Sequence, residues 1–149
     1  MATYTSSQSG NFSSSSTWGG AGVPGDGDRF DVSSGHTVTI DTGISQPTNG
    51  YTDSYIYGIL QSQASNNVTL RMNGRLYIKG GGLLHLRAGA TVEVKGSSGE
   101  QHGIWQENEN AASVIMECSD GMPSTTTTAA YDANQTSLAV AYGRNFAAG

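Results

Sequence analysis

Residues 68–99 read VTLRMNGR LYIKGGGL LHLRAGAT VEVKGSSG when written in eights. Val68, Leu76, Leu84 and Val92 hold the first position, and Leu70, Ile78, Leu86 and Val94 the third. The fourth is basic throughout (Arg71, Lys79, Arg87, Lys95), and the seventh is small (Gly74, Gly82, Ala90, Ser98). An apolar-x-apolar triplet has the period of two that places both apolar side chains on one face of a strand. Three or four extended residues closed by a tight, small-residue corner form the unit of a β-solenoid. Three sides of this length make a coil of about 24 residues, which would stack Val68 on Val92. Those eight apolar residues are the expected core, with Thr69, Tyr77, His85 and Glu93 facing out. The competing geometry is an antiparallel meander or jelly-roll-like sandwich, in which each unit reverses the chain.

The same phase recurs upstream. Phe30 and Val32, then Val38 and Ile40, are apolar pairs eight positions apart, separated by SSGHT. Residues 51–62, YTDSYIYGILQS, read as a longer side or a protruding loop, and GIWQ and SVIMEC as two further strands. Residues 120–135 are a Thr-rich loop without a core pattern, SLAVAY is a last strand, and GRNFAAG a tail fit to cover a sheet edge. Residues 1–16 form a polar, Ser-rich N-terminal arm, and 17–149 a single β domain.

Composition agrees with this assignment. The chain has 149 residues, 36% hydrophobic and 13% charged, with 21 glycines, too lean in helix formers for a bundle. A net charge of −5 argues against a nucleic-acid surface. The single cysteine, Cys118, precludes an intrachain disulfide framework and reads as a small buried residue. No stretch approaches the roughly 20 apolar residues of a membrane helix, and the N-terminus lacks the pattern of a secretory signal, so a soluble chain made in the cytoplasm is expected. The N-x-S/T triplets at Asn11, Asn67 and Asn134 are expected by chance in so Ser/Thr-rich a chain.

Candidate chemistry is sparse. Asp26, Asp28 and Asp31 in PGDGDRFD suggest a calcium loop, but Phe30 occupies a ligand position and the glycine is misplaced, so a turn into a strand is the simpler reading. His36, His85 and His102 lack metal-ligand spacing. Glu107 and Glu109 beside Trp105 would suit glycoside cleavage, yet an acidic loop between strands is the simpler reading. The basic column points in three directions on a three-sided coil and makes no anion-binding stripe. No catalytic residue, metal or cofactor is therefore assigned, and the chain is expected not to be an enzyme.

Residues 3–41 carry a further pattern: Gly10 with Phe12, Ser16 to Trp18, Gly22 to Pro24, Gly27 with Asp28, and Gly35 to Asp41, which reads GHTVTID. This lead, with the solenoid repeat after it, resembles the start of bacteriophage virion structural proteins and related bacterial surface domains, over about the first 95 residues. The resemblance implies a short right-handed parallel β-helix with an N-terminal capping segment, used as a particle component. Trp18 would cover the open end of the solenoid. Val23 and Pro24 would set the extended approach, Gly27 would permit the turn, and Asp28 would accept backbone N–H bonds. The role expected first is a capsid decoration or cement protein on the outer capsid surface. Its partners would be the major capsid protein and sister subunits of a homotrimer, with no nucleic acid and no membrane. The alternative is a tail, fibre or adhesin module that binds host carbohydrate, with Trp105, Tyr55 and Tyr57 stacking on sugars.

Overall fold

The computed structural model describes residues 1–41, 50–64, 68–94, 102–106 and 112–116. Apart from one 3-10 helix, Ser15–Trp18, every regular element among them is a strand. In chain order these are β1 (Thr3–Thr5), β2 (Gly10–Asn11), β3 (Arg29–Val32), β4 (Thr37–Ile40), β5 (Ser54–Ile56) and β6 (Ile59–Ser62). There follow β7 (Thr69–Met72), β8 (Arg75–Ile78), β9 (Leu83–Leu86), β10 (Thr91–Val94), β11 (Gly103–Gln106) and β12 (Ser113–Met116). No helix among the described residues is long and apolar enough to cross a membrane.

The strands form three sheets: β1-β3-β5-β8-β11, β12-β9-β6-β4-β2, and β10-β7. The first two pair consecutive coils in parallel throughout, and the third is parallel as well. The result is a β-solenoid of about four turns. A meander or sandwich is ruled out, because it would pair neighbouring units antiparallel, whereas Thr69–Met72 runs parallel to Thr91–Val94. Residues 51–62 supply two sides of a coil, β5 and β6, and not a protruding loop.

The coil is shorter than the eight-residue phase implies. Thr69 pairs with Thr91 and Val92 lies over Leu70, so the register offset is 22 and Val68 does not stack on Val92. The corner between β7 and β8 is the cause: only Asn73 and Gly74 separate those strands, against four residues at each of the next two corners. A Cβ on Gly74 would meet the Asp53 backbone nitrogen at 2.8 Å, so this tight corner needs a residue without a side chain. The offset differs from 24 by an even number, so the inward face is preserved.

Inward columns carry the core. Val68, Leu70, Leu76, Ile78, Leu84 and Leu86 are buried as their positions predict. Val92 is only half-buried and Val94 is 39% exposed. Both lie on β10, and no described strand pairs with its far edge, so the burial expected of these two is not complete.

Residues 1–16 are not an arm. Thr3–Thr5 pairs with Arg29–Asp31 and Gly10–Asn11 with Val38–Thr39, which makes them two sides of the first coil. No break falls at residue 17: Ser7 N–H donates to the Thr17 carbonyl, and Thr17 Oγ1 donates to the Asn11 carbonyl at 2.8 Å. A Ser-rich segment can be ordered here because the next coil offers a sheet edge and the buried hydroxyls find partners. Ser6 Oγ accepts the Ser33 N–H and meets His36 Nδ1 at 2.9 Å. In the interior of these early coils Phe12, Trp18, Phe30 and Tyr51 pack edge to face, with Phe12 5.1 Å from both Trp18 and Phe30.

Candidate functional site

Strand alternation sends Phe30, Val32, Ile56, Leu76 and Ile78 of the first sheet inward and their neighbours outward. Register then lines up the outward residues. Asp31 pairs with Tyr55, Tyr55 with Tyr77, and Tyr77 with Trp105, one residue per coil. Tyr57 stands two positions beyond Tyr55 on the same face and is 42% exposed.

The column forms a continuous aromatic strip. Tyr55 and Tyr77 lie with centroids 4.8 Å apart and planes 13° from parallel. Parallel rings in contact are about 3.5 Å apart, so the two are slid past each other by roughly 3 Å, the favoured offset stack. That slide leaves part of each ring face uncovered by its neighbour. Trp105 continues the strip at 6.5 Å from Tyr77 with a 40° tilt, and Tyr57 flanks Tyr55 at 6.4 Å.

Cations lie over the rings of the strip. The Arg29 guanidinium lies 4.3 Å from the Tyr55 centroid, and that of Arg75 lies 5.2 Å from Trp105. Lys79 Nζ sits 5.1 Å from Tyr55 and 5.5 Å from Tyr77, bridging two coils. Arg75 Nη1 also donates to the Tyr77 hydroxyl at 2.8 Å. Arg29 forms a forked pair with Asp31, Nη2 to Oδ2 at 2.6 Å and Nε to Oδ1 at 2.9 Å, while Asp31 Oδ1 accepts the Tyr55 N–H. The hydrogen bond to Asp31 pushes the guanidinium pKa up, against partial burial.

The structure thus brings Trp105, Tyr55 and Tyr57 onto one face and adds Tyr77, Arg29, Arg75 and Lys79 to them. Tyr77 was legible as an outward residue of the repeat. Its place between Tyr55 and Trp105 depends on offsets of 22 and 28 residues, which no single period predicts. The basic column separates as a three-sided coil requires: Arg71 lies on β7, and Lys79 and Arg87 follow β8 and β9, each in a different sheet.

The aspartates of the PGDGDRFD stretch serve as backbone acceptors or in an ion pair. Asp26 Oδ1 accepts the Gly50 N–H at 2.8 Å; Asp28 accepts the Ala2 N–H at 2.6 Å and the Gly25 N–H at 3.1 Å; Asp31 holds Arg29. Among the described residues no three His, Cys, Asp or Glu side chains gather as a metal site. Gly27 adopts φ +78°, and Val23 packs against the core. The Tyr51 hydroxyl points at the Pro24 carbonyl, 3.5 Å away. Lys95, Glu107, Glu109, Cys118 and the Thr-rich loop lie outside the described residues. No protein-family model, curated protein or solved structure matches this chain.

Proposed function

We propose that this chain is a non-enzymatic structural module of a bacteriophage virion whose first sheet binds host carbohydrate, as a tail, fibre or adhesin module does. The observation that carries the binding role is the Tyr55–Tyr77–Trp105 strip with Arg29, Arg75 and Lys79 beside it. Aromatic faces complement the apolar C–H face of a sugar ring, and guanidinium and ammonium groups suit its hydroxyls and carboxylates. Among the described residues the carboxylates beside the strip are engaged, Asp31 by Arg29 and Asp53 by the Arg75 N–H, which suits binding without turnover. The phage assignment rests on the resemblance of residues 3–41. Labelled protein applied to host cells and to a glycan array tests the proposal. Binding that weakens on Trp105→Ala supports it, and a blank array with no cell binding sinks it.

The second reading is the decoration role, with the protein made in the bacterial cytoplasm and seated on the outer capsid surface against the major capsid protein and sister subunits of a homotrimer. Ile59 and Leu83 favour it: they are register partners at outward positions of the second sheet, an apolar pair suited to a protein contact. Residues 1–16, which as a free arm could have reached a capsid, are folded into the first coil, so this reading ranks below glycan binding. It predicts saturable co-sedimentation with expanded heads, lost on Ile59→Lys.

A further inference from the structure

Building on the carbohydrate-binding reading, we infer that the ligand is an extended linear glycan lying along the solenoid axis, one sugar unit per coil, and not a single terminal sugar held end-on. The ring column follows the inter-strand direction, which in a solenoid is the long axis, so its repeat is the strand spacing of about 4.8 Å. The Tyr55–Tyr77 centroid distance of 4.8 Å equals that spacing, and the larger, tilted Trp105 follows at 6.5 Å. An extended pyranose chain advances by close to one strand spacing per unit, so successive sugars meet successive rings. The side chains that border the column change from coil to coil. Arg29 and Arg75 stand two residues before Tyr55's register partner Asp31 and before Tyr77, on one side. Tyr57 and Lys79 stand two residues after Tyr55 and Tyr77, on the other. In the Tyr55 coil the equivalent of Arg29 and Arg75 is Asp53, and in the Trp105 coil it is Gly103, so what recurs from coil to coil is the ring column itself. A lone terminal sugar is held by polar groups converging from several directions, whereas outward residues of one flat sheet all point the same way.

The test is a glycan array carrying cello-, chito- and galacturono-oligosaccharides as series of one to six units, beside branched glycans ending in single sugars, probed with the whole chain. The expected result is a signal on a linear series that rises about tenfold or more between one and three units and levels once the strip is spanned. Tyr77→Ala, checked by circular dichroism for an intact fold, should flatten that length dependence, and Tyr77→Trp should keep it. Binding that is equal for one unit and six, or confined to terminal sugars, overturns the axial arrangement while leaving carbohydrate binding standing. A blank array together with no binding to host cells overturns both.

Discussion

The indole Nε1 of Trp18 donates to the Phe12 carbonyl at 2.8 Å while the two rings meet edge to face, centroids 5.1 Å apart. One residue thus supplies both apolar bulk and a polar partner inside the first coils, where Trp18 is 3% exposed. Trp18→Phe keeps most of the volume but strands a buried carbonyl, at about 1–3 kcal/mol. Trp18→Ala also opens a cavity and should cost about 3–5 kcal/mol. Urea unfolding should rank the two in that order; undiminished stability of Trp18→Phe would show that the hydrogen bond contributes nothing, and equal losses that the ring's bulk adds nothing to it.

Gly82 and Gly81 are adjacent but constrained for different reasons. A Cβ on Gly82 would run into the Ile56 carbonyl of the preceding coil, a backbone atom with no freedom to retreat. Gly81 faces open space and is constrained only by φ +80°. Gly81→Ala should therefore cost about 1–2 kcal/mol, whereas Gly82→Ala should separate β5 from β8 and abolish cooperative unfolding. Thermal melts of the two variants provide the check.

Two ion pairs should respond differently to loss of the arginine. Arg71 pairs with Glu93 across β7 and β10, and the glutamate side chain is 40% exposed. Arg71→Met should cost no more than about 1 kcal/mol. Asp31 is 13% exposed, so Arg29→Met leaves a poorly hydrated carboxylate and should cost about 1.5–3 kcal/mol. Denaturation midpoints at low and high salt would separate them, the Arg71 effect fading with salt.

Tyr51 makes stability depend on alkaline pH. Burial, followed by the nearby charges of Asp26 and Asp28, pushes its hydroxyl up from 10.0 to about 12. The unfolded chain loses this proton first, so the contribution is complete below about pH 10 and disappears as pH rises towards 12. The melting temperature should fall across that window, and Tyr51→Phe should fall less steeply. Identical slopes would remove Tyr51 as the cause.

Local pattern alone determined that this chain is built of short strands with a fixed inward face, because inward pairs such as Leu76/Ile78 and Leu84/Leu86 recur with small-residue corners and a period of two dictates the face. That the units stack in parallel as a solenoid, and not as a meander, was decided by their pairing. Local pattern also marked Tyr55, Tyr57 and Trp105 as residues able to stack. Tertiary structure alone decided which coil residue lies over which. Register depends on corner length, and the two-residue Asn73–Gly74 corner moved Val92 from Val68 to Leu70. The same offsets placed Tyr77 between Tyr55 and Trp105 and turned scattered aromatics into a strip. The first coil was hidden for a related reason. Segments as short and polar as Thr3–Thr5 and Gly10–Asn11 have no strand pattern of their own, and become strands because the coil above presents unpaired backbone N–H and C=O groups.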